Sequence, residues 1–274
     1  LPRLITILSA GIALSLSGFI IQNITENPLA DSGTIGITSG ASAGSVAFLL
    51  IADHFKLTGL WNFSYPIFAL IGALLSFALI YFFALRKQVS SVRVLLTGIA
   101  ITAFFQALIT IGQLSVNAFD FQKVAVWLSG DIWQTGSTYL FICVLLLVIG
   151  LIILPFFLRK LEILSLGEEM ATTLGLEVQK TKIYLYLLAL LFAAVGVLLV
   201  GGLAFVGLIA PHIAREIAGF KSRKSLIATA LSGMIILSFA DIISQTIIAP
   251  SSLPLGFVVA FIGAPYYIYL IQKV

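Results

Sequence analysis

Three sets of residues have types and spacing that could do chemistry. Gly40-Ala41-Ser42-Ala43-Gly44 matches the G-x-S-x-G pattern in which a sharp turn lifts a nucleophilic serine above a sheet, and His212 could serve Ser42 as a base. That motif needs a strand, a turn and a soluble sheet, so an intramembrane serine hydrolase stands here only as an alternative. His54 and His212 could ligate a metal, but they fall on opposite predicted sides of a membrane. Cys143 is the single cysteine and lies inside an apolar run, which excludes a disulfide framework or a cysteine-based metal site within one chain. No metal or cofactor is therefore expected. Asp241 is the one acid deep in a predicted helix, and intramembrane acids mark ion or proton paths, so an ion-coupled secondary transporter is a second alternative. There is no G-x-x-x-x-G-K-[ST] run, so any ATP must be hydrolysed by a partner subunit and no catalytic residue is assigned.

The elements that carry these residues are membrane helices. Hydrophobic residues make up 60% of the chain and charged residues 9%, with a mean hydropathy of +1.15. A soluble domain carries roughly a quarter charged residues. Eight apolar runs approach the ~20 residues needed to cross a bilayer: 4–21, 37–52, 66–85, 94–114, 139–158, 183–213, 226–248 and 255–271. Of the fifteen basic residues, twelve fall in loops that would face the cytoplasm, leaving Arg3, Lys56 and Lys123 for the other side. The pI of 9.2 thus reports membrane orientation and not nucleic-acid binding.

The run 183–213 is basic at both ends, with Lys180 and Lys182 before it and Arg215 and Lys221 after it. Both ends belong in the cytoplasm, so the segment must go out and return. Gly201-Gly202 is the natural turn, leaving two arms of about 16 to 18 residues each. The expected fold is an all-α polytopic bundle of nine transmembrane helices, 1–274 forming one domain with a cytoplasmic C-terminus. An odd count and the abrupt Leu1-Pro2-Arg3 start lead us to expect a tenth helix before residue 1.

Small residues at four-residue spacing, Gly36/Gly40/Gly44 and Gly256/Ala260/Ala264, predict close helix packing within two helices. Residues 120–130 predict a short interfacial helix anchored by Val124 and Trp127. The longest inner loop, 159–182, predicts a short helix outside the bilayer. Ser165-Leu166-Gly167-Glu168 has capping-box spacing, and Gly175 follows Leu174 as a C′ glycine would. A helix with both ends fixed to membrane spans could act as a contact lever for a cytosolic partner.

Five segments then occur in order: LPRLITILSAGIALSLSGFIIQ, ENPLADSGTIGITSGASAG, LGEEMATTLG, FVGLIAPHIAREIAG and LPLGFVVAFIGAPYYIYL. Together they resemble the permease family of iron-siderophore, haem and vitamin B12 ABC importers over residues 1 to about 272. The resemblance implies a ten-helix subunit of the bacterial inner membrane. It would pair with a second permease, identical or homologous, be fed by an extracytoplasmic binding protein and be driven by two cytosolic ATP-binding-cassette ATPases. It also implies that Leu166, Gly167, Ala171, Leu174 and Gly175 form a coupling helix in the ATPase groove, presenting Glu168, Glu169 and Thr172. The family often has an arginine four residues after the acid matching Asp241. This chain has Gln245 there, leaving Arg3 as the basic candidate for docking the binding protein. The helix 94–114 and the last helix would line the path, with Gln106, Gln113 and Asn117 as polar contacts. The expected cargo is a ferric siderophore, with haem and cobalamin as alternatives.

Overall fold

In the computed structural model the described residues are 2–33, 35–54, 61–86, 91–115, 122, 125–132, 136–219, 223–249 and 251–273. Their regular structure is helical. The helices are α1 (Pro2–Thr25), α2 (Ile37–His54), α3 (Trp61–Ile80, continued by a π-helical turn Tyr81–Leu85), α4 (Ser91–Leu114), α5 (Ser137–Ile153), α6 (Pro155–Leu164), α7 (Glu168–Thr173), α8 (Val178–Val200), α9 (Val206–Ala218), α10 (Arg223–Thr246) and α11 (Leu255–Lys273). Among the described residues five helices are long and apolar enough to cross a bilayer, and α5 with α6 would make a sixth but for a bend of 55° between them. Pro155 opens α6, where its missing N–H costs least. The expected span 139–158 therefore ends at Ile153, and Arg159 and Lys160 sit on a separate helix.

Side-chain and backbone contacts fix the helix directions. Arg3 meets Asp241 and Gly11 meets Gly233, so α1 and α10 run antiparallel. Ser17 donates to the Ala189 carbonyl while Gly196 faces Leu14, so α8 also opposes α1. Gly18 faces Gly207 and Gln22 reaches Arg215, so α9 runs with α1. The chain accordingly reverses between α8 and α9, as the charge pattern requires. The arms are unequal, however: α8 has 23 residues and α9 only 13. At 1.5 Å per residue these are about 34 Å and about 20 Å, so α8 crosses fully and α9 does not.

The packing glycines behave as predicted in part. A Cβ on Gly40 would lie 2.6 Å from the Gly72 carbonyl oxygen, and one on Gly44 would lie 2.1 Å from that of Phe68, so α2 and α3 touch through backbone. Gly36 is not in α2: it precedes the helix at φ +88°, and its carbonyl accepts from the Ser76 hydroxyl at 2.7 Å.

The segment before α5 differs most from expectation. Residues 125–128 are helical, but Trp127 is only 2% exposed and packs in the core instead of anchoring at an interface. Val124 lies outside the described residues. The Gly201 turn and the start of α11 hold this segment. A Cβ on Gly201 would sit 2.1 Å from the Trp127 carbonyl oxygen, and Gly256 N–H donates to the Gly130 carbonyl at 2.9 Å. No local pattern signals this burial, because the partners of Trp127 are distant in sequence.

Candidate functional site

The loop 159–182 carries the end of α6 and the short helix α7 beside the spans. α7 has six residues, with its N-cap at Gly167 and no side-chain cap. The capping box is absent: Ser165 Oγ donates back to the Glu162 carbonyl at 2.5 Å, while Glu168 turns to Lys182, with Nζ to Oε1 at 2.5 Å. The other end closes as the sequence suggests. Gly175 has φ +81°, its N–H donates to the Thr172 carbonyl at 2.9 Å, and Leu176 N–H donates to the Ala171 carbonyl at 3.0 Å. That pair of bonds is a Schellman cap.

Ala171 is fully buried and seats α7 on its neighbours. Leu166, Met170 and Leu174, spaced by four, are 61%, 53% and 58% exposed. Leu166 precedes the N-cap, Met170 lies within α7 and Leu174 is its C-cap, so together they leave an apolar stripe exposed along this short loop. Glu169, Thr172 and Gly175 are exposed with it, whereas Glu168 is committed to Lys182. The sequence marks Lys182 only as a cytoplasmic-side charge and does not mark Met170. The stripe's four-residue spacing could have revealed Met170, but only the fold brings Lys182 to Glu168.

A second cluster of polar and charged candidates joins α1 to α10. The Arg3 guanidinium grips the Asp241 carboxylate with Nε at 3.1 Å and a terminal nitrogen at 2.6 Å, and Gln245 Nε2 donates to the same carboxylate at 2.6 Å. Asp241, Arg3 and Gln245 thus form one cluster joining the start of α1 to the end of α10. Asp131 lies near it, its carboxyl raised above its ordinary value by burial, which the Ile132 N–H and the Arg3 charge only partly offset.

Of the path candidates, Gln106 is exposed and Gln113 half-buried on α4. Asn117 lies outside the described residues. α4 buries Val94, Ile101, Phe105 and Ile109, so the two glutamines flank the face that packs inward. A cavity of about 640 Å³, lined by Leu79, Phe83, Arg93, Leu96 and Phe104 among others, opens on the far flank of α4.

The residues of the alternative readings are engaged in structure. Ser42 is buried on the continuous helix α2, close to Gly202, and no strand-to-helix turn presents it. His212 stacks edge-on against Tyr266 at 5.9 Å and lies 3.6 Å from Glu216. Asp241, the carrier candidate, is satisfied by Arg3 and Gln245. Pro211 lacks an N–H for the Gly207 carbonyl four residues back, and Gln22 Nε2 donates there at 3.4 Å and to the Leu208 carbonyl at 3.3 Å. The Gln22 oxygen in turn accepts from Arg215. The segment FVGLIAPHIAREIAG is thereby locked to α1.

The comparison with known proteins decides the class. The FecCD transport family matches residues 1–273. The chain belongs to the FecCD transport family. FecCD relatives include the iron(3+)-hydroxamate import permease FhuG of Bacillus subtilis, 38% identical over all of this chain and 82% of its own length. The Fe(3+) dicitrate transport permease FecD of Escherichia coli is 34% identical over all of this chain and 83% of its own length. A solved metal-chelate type ABC transporter in an inward-facing conformation superposes with a TM-score of 0.87 at 26% identity, covering 100% of this chain and 87% of that one. As a FecCD protein, the chain is a transporter permease of the bacterial inner membrane, and the hydrolase and secondary-carrier alternatives give way to that function.

Proposed function

We propose that this chain is the membrane subunit through which a ferric siderophore, or a similar metal chelate, enters the cytoplasm at the expense of ATP hydrolysed by a partner. The observation that carries this reading is α7: a capped helix outside the spans, seated by Ala171 and exposing Leu166, Met170 and Leu174. Such a stripe on a polar loop fits an apolar groove on a cytosolic ATPase, with Gly167, Glu169, Thr172 and Gly175 around it. Glu168 supports the helix from behind. The C-terminus lies on the same, cytoplasmic side.

A substrate-binding protein docks at the opposite end, around Arg3 and Gln245. A second permease, of the same or a homologous chain, completes the pathway, lined by α4 with Gln106, Gln113 and Asn117 and by α11. The named substrates of the relatives, iron(3+)-hydroxamate and Fe(3+) dicitrate, make ferric chelates the first to test. The test is uptake into proteoliposomes holding this permease, its partner permease, an ATPase and a binding protein, with ferric hydroxamate, ferric dicitrate, haem and cobalamin as separate substrates. ATP-dependent uptake of a ferric chelate is expected. Uptake driven by a proton gradient without ATP would overturn the reading, and uptake of only haem or cobalamin would replace the substrate.

A further inference from the structure

The ion pair between Glu168 and Lys182 joins two elements that the chain could have left independent. Glu168 opens α7, and Lys182 stands in the first turns of α8, fourteen residues on. The side chain of Lys182 is only 13% exposed and that of Glu168 52% exposed. The lysine stem is therefore held against the bundle while its ammonium reaches out to the helix. Tyr186, four residues further along α8 and so on the same face, is wholly buried and fixes that face of the span.

The far end of α8 is also held by contacts with other elements. The helix ends at Gly201, whose backbone abuts the Trp127 carbonyl, beside the segment whose Gly130 carbonyl holds Gly256 at the start of α11. A displacement of α7 delivered to Lys182 thus enters a helix connected at its other end to the reversal and, through it, to α9 and α11. Because the lysine is covered while the glutamate end is open, the pair fixes the spacing between α7 and the first turns of α8. The Schellman cap and Ala171 already secure the helix itself.

We propose that Lys182 is the positioning residue that transmits movement of the coupling helix α7 into the central span α8, so that ATP hydrolysis and opening of the path stay linked. This rests on the reading of α7 as the ATPase contact. Glu168 is the receiving end of the strut, and the charge pair, not the identity of either residue, is what transmission requires.

The experiment uses the reconstituted complex with whichever ferric chelate the wild type imports, measuring chelate imported per ATP hydrolysed and, separately, retention of the ATPase on size-exclusion chromatography. Lys182→Met and Glu168→Gln are expected to lower the import-to-hydrolysis ratio at least fivefold, and Lys182→Arg to keep it within twofold of wild type. The reversed pair, Glu168→Lys with Lys182→Glu, should recover at least half of the wild-type ratio. A wild-type ratio in Lys182→Met, or a reversed pair no better than the single variants, would overturn the proposal. Loss of the ATPase from Lys182→Met would overturn it too, by showing a static docking contact. If the wild-type complex itself fails to bind an ATPase or import a chelate, the importer reading falls first and takes this proposal with it.

Discussion

Asp241 shows how a single residue changes meaning between sequence and structure. Alone in an apolar helix it suggests an ion path, yet Arg3, more than two hundred residues away in the chain, and Gln245, one turn along the same helix, satisfy it. Its carboxylate is almost fully covered while Arg3 remains partly exposed, so removing the arginine leaves a covered charge short of a partner. Arg3→Ala should lower stability by about 1–3 kcal/mol, read as a melting shift in detergent, and adding Asp241→Asn should return most of it. Equal losses in the single and double variants would show that the pair does not join the two helix ends. Asp131 works in the other direction. Its carboxyl holds a proton to higher pH in the folded chain than in the unfolded one, so the native state binds more protons across that window. Stability contributed at this site falls as pH rises through the window, and the ionised form opposes folding above it. Asp131→Asn should therefore raise the melting temperature at neutral pH and leave it unchanged at acid pH, below both values. A fall at neutral pH would mean that its bond to the Ile132 N–H outweighs the burial.

At the scale of elements, α7 can be altered without touching the spans. Gly175 has no neighbour within 4 Å of a built Cβ, but its φ of +81° is one that a β-branched residue occupies only under strain, about 1–3 kcal/mol. Gly175→Val should shift the end of α7 and displace Leu174, while Ala171 and the bundle stay in place. We expect lost chelate-stimulated ATP hydrolysis and uptake with normal membrane yield. Unchanged uptake would reduce α7 to an ordinary surface helix, and lost yield would make its cap a folding requirement. The cap was legible from Leu174-Gly175 because a C′ glycine is a local signal. The capping box was not a reliable guide, because Glu168 found a stronger charged partner in Lys182.

For the whole molecule, charged clusters lie at two ends of the bundle, with Arg3, Asp131 and Asp241 at one, joined by the neutral Gln245, and Glu168 of α7 with Lys182 at the other. The positive-inside count assigns the second end to the cytoplasm. With Cys143 buried, a cysteine introduced at exposed Ser251 should react with an impermeant thiol reagent in intact cells, and one at exposed Glu169 should react only after lysis. The reverse pattern would invert the orientation and, with it, the assignment of α7 to an ATPase.

The sequence by itself determined the membrane class, the helical fold, the reversal at Gly201-Gly202 and the position of α7, because hydropathy, charge bias and turn residues act over a few neighbouring positions. Family membership was legible for the same reason, in five contiguous segments. Only the tertiary structure decided that α9 is a partial span, that Trp127 is core, that Arg3 neutralises Asp241 and that Glu168 belongs to Lys182. Each of those outcomes depends on which distant backbone or charge arrives within about 3 Å, where a buried polar group must find its partner. No local pattern carries that information, since the partners lie on helices whose directions and contacts are set by the packing of the whole bundle.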